Sequence, residues 1–328
     1  MANNTNLRKA DGSKNDEFYT RLIDIEEEIS NHEDYVRHFQ GKTVLCNCDD
    51  PEWSNFFEFF KLHFKQLGIK KVIATHYNKD GSPSYKIEWT GEKINGNTVN
   101  MITTPLKGDG DFRNPECVEL LKEADIVVTN PPFSLFREYI AQLIEYNKKF
   151  IIIGNINAVS YKEIFPYIKN KQIWAGYSFN KTMLFEVGEG YKYDVDLSNK
   201  IGDGKHYGKV PMIAWFTNLE IDRQEEILPL TKNYKGNESK YPKFDNYDAI
   251  NVSKIKDIPK DYDGLMGVPI TFIKNYNPNQ FEIIDGIGRY SVLHNEETKK
   301  AGKYLSMING KAMYFRYIIR KRKSHSTT

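Results

Sequence analysis

Residues 42–75 read KTVLCNCDDPEWSNFFEFFKLHFKQLGIKKVIAT. The segment KTVLCNC is a short apolar run typical of a buried strand, and KKVIAT predicts a second strand. Between them, Asp50 and Pro51 favour a helix cap and the first helical position, and Gly68 favours the helix end. Aromatic residues recur at helical spacing at Trp53, Phe56, Phe57, Phe60 and Phe64. The stretch therefore predicts a helix between two strands of a parallel sheet.

The same alternation continues towards the middle of the chain. The polar segment at 78–97 predicts a loop or ragged hairpin. VNMITT, ADIVVTN and KKFIIIGN predict further strands. Asn114 followed by Pro115 favours the start of one helix, and residues 135–146 predict another. Ser160 and Glu163 match a capping box for a third helix.

The far edge of the predicted sheet has a different pattern. KQIWAGY, KTMLFEV and VPMIAWFTN predict strands with no helical pattern between them, so we expect this edge to turn antiparallel. The chain thus predicts an α/β fold with a mostly parallel, doubly wound sheet and an antiparallel edge. Such a sheet binds ligands outside the carboxyl ends of its strands.

The chain changes in composition after Leu219, where Lys, Asn, Tyr and Gly surround short apolar segments such as GVPITFI and FEIIDGI. We expect a domain boundary between Leu219 and Tyr234, and we divide the chain into a larger domain at 1–222 and a smaller C-terminal region at 223–328. A length of 328 residues with 40% hydrophobic residues is sufficient for this organisation.

Composition excludes some classes of protein and some sites. No apolar run approaches the roughly 20 residues needed to span a bilayer, so we expect a cytoplasmic protein without a membrane partner.

Cys46 and Cys48 alternate within one predicted strand, and their side chains should point to opposite faces. With Cys117 they are expected to be reduced structural thiols, because the alternative of a metal site lacks a second ligand pair.

The net charge of +2 is too small to predict a nucleic-acid partner by itself. The distribution of charge is more informative, because acidic residues crowd positions 16–33 and basic residues crowd the end of the chain. The basic residues near the end are Arg316, Arg320, Lys321, Arg322 and Lys323. They predict a cationic face for phosphates, and a solvated basic tail is the alternative.

The tetrapeptide Asn130-Pro131-Pro132-Phe133 directly follows the predicted strand ADIVVT. The side-chain oxygen of Asn130 and the main-chain carbonyl of Pro131 can each accept one N–H of a planar amine, and they favour the tetrahedral nitrogen that develops during methyl transfer. The prolines fix the backbone and offer no competing donor. Phe133 offers a face for an unstacked base, a contact worth about 1–3 kcal/mol. An ordinary turn is the alternative, but the position between a buried strand and a helix favours a site.

This tetrapeptide resembles motif IV of the amino-methyltransferases, and its surroundings resemble the EcoRI adenine methylase family. The segments that match in the same order are DEFYT, CNCDDP with SNFF, GDGDF, DIVVTNPPFSLF, FIIIGN, WFTN and YDGLMGVPITF. The resemblance implies a Rossmann-like catalytic domain at 1–222 and a target-recognition region at 223–328. It also implies S-adenosyl-L-methionine as cofactor and a flipped-out adenine of double-stranded DNA, methylated at N6, as substrate.

The resemblance assigns cofactor contacts to several segments. These residues are Phe18, Tyr19, Thr20, Asn47, Cys48, Asp49, Asp50, Asp111, Phe112 and Asn130. In the family pattern the loop after the first strand suits the methionine ammonium, the carboxylate of Asp111 accepts from the adenine amine, and Phe112 packs on its ring. The alternatives are an exposed aromatic at Phe18, a helix cap at Asp50 and a plain turn at Asp111. The loop after the first strand departs from methyltransferases at large, because it contains no glycine.

The acid expected at the end of the second strand is absent, because KKVIAT runs into His76 and Tyr77. The residue that holds the cofactor ribose is therefore not identified by the sequence.

His76 is either a general base or a hydrogen-bonded loop histidine. We favour the second role because the amine proton can leave after transfer. Trp215 and Phe216 lie where the family places an aromatic over the flipped base. Strand alternation directs one of them inward, and we favour Phe216 for stacking over a core role.

Catalysis is assigned by the same resemblance to Asn130, Pro131, Pro132 and Phe133. Phe133 and Phe216 are the expected base-stacking residues. Candidates for DNA groove contacts are Lys274, Asn275, Tyr276, Asn277 and Arg289.

Two other functions use the same sequence features. The first is methylation of RNA or of a glutamine side chain, because the geometry of Asn130 suits any planar amine. The second is a DNA-binding module with an inactive cofactor site. The absence of glycine from the loop after the first strand is the feature that supports this alternative. For the favoured DNA enzyme we expect a monomer, belonging either to a restriction-modification system with a separate endonuclease or acting alone. The resemblance makes GAATTC the first recognition sequence to test.

Overall fold

The computed structural model describes residues 19–30, 32–48, 50–78, 80–91, 101–187, 206–288 and 306–322, together with the backbone of the short strands at 93–94, 97–98 and 194–195. The chain forms two compact units. The first comprises Met1–Asn155 and Gly176–Leu219, and the second comprises Ile156–Ala175 and Glu220–Thr328. The segment Ile156–Ala175 thus belongs structurally with the C-terminal part, which the sequence did not indicate. The functional division at residue 222 stays a prediction.

The larger sheet contains ten strands in the described part of the chain. They are β1 Tyr19–Thr20, β2 Thr43–Cys46, β3 Lys71–Thr75, β4 Tyr85–Trp89, β7 Met101–Pro105, β8 Ile126–Thr129, β9 Lys149–Asn155, β10 Trp174–Glu186, β11 Asp194–Val195 and β12 Tyr207–Thr217. The short strands β5 Lys93–Ile94 and β6 Asn97–Thr98 pair with each other. The helices of this unit are α1 Leu22–Ile29, α2 Glu33–Phe39, α3 Asn55–Leu67, α4 Pro115–Glu123 and α5 Phe136–Glu145.

The strand order is β1-β10-β12-β9-β8-β2-β3-β4-β7, with β11 paired to β12. The central strands β9, β8, β2 and β3 are mutually parallel. β12 is antiparallel to β9, which confirms the predicted antiparallel edge. On the other side, β4 and β7 are also antiparallel, so the sheet is mixed and the α/β class is confirmed. The segment at 78–97, predicted as a loop or ragged hairpin, contains strand β4.

Both faces of the central sheet are covered. Every residue of β2 and β8 is buried, as expected for parallel strands with helices on both faces. Trp215 and Phe216 of β12 are adjacent and both 0% exposed. Trp215 contacts Phe56 whereas Phe216 contacts Phe136, so packed side chains cover both faces of the strand.

Helix α3 begins later than predicted. Residues 50–53 form a turn, and the Ser54 hydroxyl caps the helix by accepting from the Phe56 amide at 3.2 Å. Asp50 is therefore not the cap, and Trp53 lies outside the helix with 69% of its surface exposed. The helix ends before Gly68, as predicted.

The second unit contains a smaller sheet. Its strands are β13 Ile250–Asn251, β14 Met266–Pro269, β15 Phe281–Ile287 and β18 Arg316–Lys321, in the order β13-β14-β18-β15. A separate hairpin is formed by β16 Met307–Ile308 and β17 Lys311–Ala312. The described residues of this unit form the helix α6 Phe165–Lys169. They also form the 3-10 helices Ile156–Ser160, Asp222–Glu225, Glu238–Lys240, Ile255–Asp257 and Ile270–Asn275.

The predicted capping box is absent from the described start of α6. Ser160 lies in the preceding 3-10 helix, where its hydroxyl donates to the Asn157 carbonyl at 2.7 Å. The chain therefore makes a turn before α6 begins at Phe165.

Each helix in the described ranges is too short or too polar to cross a membrane.

Candidate active site

The candidate site lies at the carboxyl ends of the parallel strands. From β2 the chain crosses to β3 on one side, and it later enters β8 on the other side of β2. This arrangement makes the crevice beside β2 a topological switch point, the place where open α/β sheets bind ligands. The loops that start at Asn47, His76 and Asn130 all leave the sheet at this edge.

The Asn130 loop has the strand–turn–helix context that the sequence predicts. Asn130 is 9% exposed at the end of β8, and Pro131 is also buried. Pro132 is exposed and Phe133 is half-buried. The Leu135 amide donates to the Pro132 carbonyl at 3.0 Å, which closes the turn before α5. The loop therefore combines a buried amide with a partly accessible ring.

Asn47 connects the ends of β2 and β8. The Thr129 hydroxyl donates to the main-chain oxygen of Asn47, and the Tyr139 hydroxyl donates to its side-chain oxygen. All three residues are buried, and burial raises the pKa of Tyr139 well above its usual value, so this phenol stays a neutral donor. Asn47 was a predicted site residue, whereas Thr129 and Tyr139 were not, because a threonine in a strand and a tyrosine in a helix have the pattern of core residues.

Cys48 accounts for the glycine-free loop. Its φ is +80°, in the left-handed region that glycine usually occupies. The chain therefore turns sharply after β2 without a glycine. Cys48 lies beyond the end of β2, so the predicted alternation with Cys46 on one strand is wrong. All three cysteines lie in the described ranges, and none forms a disulfide there.

Asp50 bridges the loop after β2 and the end of β3. Its Oδ1 accepts from the Tyr85 hydroxyl at 3.0 Å and from the Glu52 amide at 2.9 Å. Its Oδ2 lies 3.3 Å from His76 Nδ1. Burial and the Asp50 carboxylate together raise the pKa of Tyr85. His76 thus has a carboxylate neighbour, but its Nδ1 makes no hydrogen bond to that carboxylate, and the role of His76 stays a prediction.

The GDGDF segment packs against α5. Phe112 is 6% exposed, and its ring meets Tyr139 edge-on at a centroid distance of 5.0 Å. Arg113 donates to both Asp111 oxygens, from Nε at 2.8 Å and from Nη2 at 2.6 Å, and holds the pKa of Asp111 below its usual value. Arg113 was not predicted, although its charge two residues after an aspartate is a readable signal.

Gly110 allows this segment to approach the end of β3. Its φ is +84°, and a Cβ at this position would collide with the main-chain oxygen of His76. The Asn78 amide also donates to the Asp109 carbonyl at 2.7 Å. The loop that carries Asp111 therefore lies beside the loop that follows β3.

The predicted N-terminal contacts are partly described. The main-chain oxygen of Thr20 accepts from Asn55 Nδ2 at 2.8 Å, which places β1 beside the start of α3. Thr20 is 1% exposed. Phe18 and Asp49 lie outside the described residues.

Phe216 belongs to the core. It is 0% exposed, and its ring packs at 5.3 Å from Phe136 and 6.2 Å from Phe179. A ring with no exposed surface is not available to a base, so the expected stacking role of Phe216 is corrected to a packing role.

Two predicted DNA contacts are structural residues of the second unit. Arg316 is 9% exposed, its Nε donates to Asn251 Oδ1 at 3.2 Å, and burial lowers the pKa of its guanidinium. Asn277 is 1% exposed, and its Nδ2 donates to the Glu225 carbonyl at 2.9 Å. These contacts correct the prediction that Arg316 and Asn277 bind DNA, because neither side chain is accessible.

Three of the remaining basic residues, Arg320, Lys321 and Arg322, have partners within the protein. Arg320 pairs with Glu282 at 2.9 Å, and Lys321 lies 3.4 Å from Asp263. Arg322 donates to a main-chain carbonyl. Lys274 and Asn275 are half-buried in a 3-10 helix, and Tyr276 is 8% exposed. Arg289 and Lys323 lie outside the described residues.

Comparisons with known proteins identify the family. The family model described as "Adenine-specific methyltransferase EcoRI" matches residues 6–322. The chain is 46% identical over 333 aligned residues to the Type II methyltransferase M.EcoRI of Escherichia coli, covering 98% of both chains. It is 44% identical to M.MgeORF184P of Mycoplasma genitalium, covering 96% of this chain and 98% of the relative. It is 43% identical to M.MpnI of Mycoplasma pneumoniae, covering 97% and 98%.

No solved structure matches the chain significantly. The family model and the relatives nevertheless span almost the full length, including the Asn47 and Asn130 loops. The chain belongs to the EcoRI family of adenine-specific methyltransferases.

Proposed function

We propose that this protein is a site-specific DNA methyltransferase that transfers a methyl group from S-adenosyl-L-methionine to N6 of a flipped-out adenine in double-stranded DNA. The observation that carries the proposal is the position of Asn130-Pro131 at the switch point, beside the loop of Asn47. The names of the relatives support a DNA substrate. The order of the central strands supports a Rossmann-like domain.

The donor groups at the crevice fit the proposed cofactor. Asp50 and Asp111 keep 18% and 14% of their side-chain surface exposed, so each carboxylate can accept from a ligand amine. The turn at Cys48 allows a close approach of the backbone to a ligand. Asn47, Asp50 and Asp111 are the residues that would hold the cofactor, with Phe112 beside them. When bound, S-adenosyl-L-methionine supplies an electrophilic methyl group.

The chemical task of the protein is to prepare the amine. Its nitrogen lone pair is delocalised into the adenine ring, so the amine is a poor nucleophile. In the proposed role, Asn130 Oδ1 and the Pro131 carbonyl accept the amine hydrogens and favour a tetrahedral nitrogen. Phe133, which is half-buried, would support the flipped base by stacking.

A single labelling experiment tests the substrate class. Purified protein is incubated with S-adenosylmethionine labelled in the methyl group and, in parallel, with duplex DNA that contains GAATTC, with RNA and with a protein extract. Labelled DNA is then digested to nucleosides. Label in N6-methyldeoxyadenosine supports the proposal, whereas label confined to RNA or protein rejects it. DNA binding without transfer would identify an inactive module.

Asn130→Ala tests the proposed catalytic role. We expect turnover to fall by at least about 100-fold, the scale of a lost transition-state acceptor, while cofactor affinity is largely retained. Calorimetric titration with the cofactor and the single-turnover rate measure the two quantities. Ser134→Ala is the matched control, because Ser134 is exposed in the same loop. Equal loss of binding and turnover in Asn130→Ala would contradict the assignment.

A further inference from the structure

The hairpin of β16 and β17 belongs to the second unit and ends in a tight turn. Met307 pairs with Ala312 and Ile308 pairs with Lys311, leaving a two-residue turn. The turn residues Asn309 and Gly310 have φ of +51° and +72°. Positive φ at both positions is the type I′ geometry, which matches the natural twist of paired strands.

The hairpin is anchored at its tip and at its base. The Asp245 carboxylate accepts from the Asn309 amide at 3.0 Å and from the Gly310 amide at 2.8 Å. Ile308 packs against a buried cluster that includes Phe244 and Ile318. These contacts fix the conformation before any partner binds, so binding costs little ordering entropy.

An exposed aromatic residue lies next to the hairpin. Tyr314 is 86% exposed, although Phe315 beside it packs on Tyr317 at 5.1 Å. The main-chain oxygen of Tyr314 accepts from the Ser306 hydroxyl at 2.8 Å, and the Met313 amide donates to the Ser306 carbonyl at 2.6 Å. The backbone is therefore held on both sides while the tyrosine ring is presented to solvent.

The exposed side chains suit the edges of bases. Asn309 and Lys311 are exposed, and asparagine and lysine respectively recognise adenine and guanine in the major groove. The tyrosine ring of Tyr314 can stack on a base or pack on a thymine methyl group. The nearby Asp245 carboxylate disfavours phosphate, so this surface favours base contacts over backbone contacts.

We propose that the segment Ser306–Tyr314 is a sequence-reading hairpin that enters the major groove of duplex DNA. A two-stranded ribbon has the dimensions of that groove. This inference rests on the proposed function, and it adds Asn309, Lys311 and Tyr314 as residues that determine sequence specificity. None of these was indicated by the sequence pattern.

The test uses the full-length protein with a combined variant, Asn309→Gly, Lys311→Ala and Tyr314→Ala. Glycine at 309 removes the side chain and keeps the positive φ, so the turn is retained. Lys256→Ala is the matched control, because Lys256 is an exposed lysine elsewhere in the second unit. Tyr314→Phe keeps the ring and separates stacking from hydroxyl contacts.

The recognition site is first found by sequencing plasmid DNA methylated by the unaltered protein. Affinities for that duplex and for a scrambled duplex are then measured by fluorescence anisotropy, with cofactor affinity and thermal midpoint as checks on folding. We expect the ratio of the two affinities to fall by at least about tenfold in the combined variant, the scale of one lost base contact. Cofactor affinity, the thermal midpoint and binding to scrambled DNA should be unchanged, and the Lys256→Ala and Tyr314→Phe proteins should keep the ratio.

Two results would overturn this role for the hairpin. One is an unchanged affinity ratio, and the other is an equal loss of affinity for both duplexes, which would indicate phosphate contacts. Failure of the proposed function looks different, because the unaltered protein would then place no methyl group on any DNA.

Discussion

Asn47 joins three parts of the candidate site through buried hydrogen bonds. It accepts from Thr129, which precedes the catalytic candidate Asn130, and from Tyr139 on α5. Removing a buried donor leaves an unsatisfied acceptor, at a cost of about 1–3 kcal/mol. Displacement of a catalytic group by roughly 1 Å can reduce a rate by about 100-fold. We therefore expect Thr129 to act as a positioning residue in the proposed reaction.

Thr129→Val removes the hydroxyl and keeps the shape of the side chain. We expect kcat to fall by about 10-fold to 100-fold and the free energy of unfolding to fall by about 1–3 kcal/mol. Thr129→Ser restores the donor and should recover most of the rate. Steady-state kinetics and urea unfolding measure both effects. Equal rates for the valine variant and the unaltered protein would exclude a positioning role.

Cys48 shows what could not be read from residue types. The sequence revealed that the loop lacks glycine, but backbone geometry was needed to find a non-glycine residue at a φ of +80°. The position of the loop could be predicted, because polar residues follow a buried strand. The strained backbone at Cys48 could not be predicted, since cysteine has no special preference for the left-handed region.

Substitutions at Cys48 should separate backbone strain from side-chain chemistry. Cys48→Val places a β-branched side chain at positive φ and should reduce the free energy of unfolding by about 1–3 kcal/mol. Cys48→Gly should avoid that penalty, because glycine adopts positive φ readily. Chemical unfolding of both variants provides the comparison. A valine variant as stable as the glycine variant would contradict a strained turn at this position.

At the scale of elements, local patterns predicted the interior of helices better than their ends. The aromatic spacing predicted α3, but Asp50 was not its cap, because its carboxylate contacts Tyr85 of β4 and His76, which follows β3. These partners are distant in sequence, so a local pattern does not reveal them. Strand β4 was predicted only as part of a loop or ragged hairpin, although Lys86 and Glu88 alternate with apolar residues in the pattern of a half-buried strand.

The packing of α1 on β10 depends on a buried carboxyl group. Glu28 is 0% exposed and accepts from the Tyr177 amide at 2.8 Å, the Ser178 amide at 2.7 Å and the Tyr35 hydroxyl at 3.2 Å. Burial raises the pKa of Glu28 from 4.5 to about 7, against the opposing effect of these hydrogen bonds. The folded protein therefore holds this proton more tightly than the unfolded chain.

This pKa shift predicts a pH-dependent contribution to stability. Between pH 4.5 and about 7 the folded state binds more protons at Glu28, so the contribution of Glu28 falls as pH rises and is constant above that range. The steepest slope is about 1.4 kcal/mol per pH unit. The difference in unfolding free energy between the unaltered protein and Glu28→Gln, measured from pH 5 to 8, isolates this term because glutamine does not titrate. A difference that stays flat with pH would contradict the shift.

At the scale of the whole molecule, the composition change after Leu219 indicated where the second unit resumes, but not that it also includes Ile156–Ala175. This segment follows β9 directly and has the local pattern of another connecting helix. Its membership depends on long-range contacts, such as Lys169 Nζ donating to the Ile284 carbonyl at 2.6 Å. The spacing of apolar residues within one segment does not show which distant segment it packs against.

Phe165→Ala tests whether this inserted segment supports the second unit. The Phe165 ring is 2% exposed and lies 6.2 Å from Phe315 and 6.1 Å from Tyr317, inside the aromatic core of that unit. Truncation of a buried phenylalanine typically costs about 3–5 kcal/mol. We expect amide hydrogen exchange to accelerate in β15 and β18, with little change in β2 and β8.

Phe60→Ala is the reciprocal control, because Phe60 is 0% exposed in α3 of the first unit and packs on Phe39 at 5.4 Å. It should accelerate exchange in β2 and β3 while β15 and β18 stay protected. The paired comparison matters because a large truncation can destabilise any protein in general. If both variants accelerated exchange equally in β2, β15 and β18, the two units would unfold as one cooperative structure, and Phe165 would not act specifically on the second.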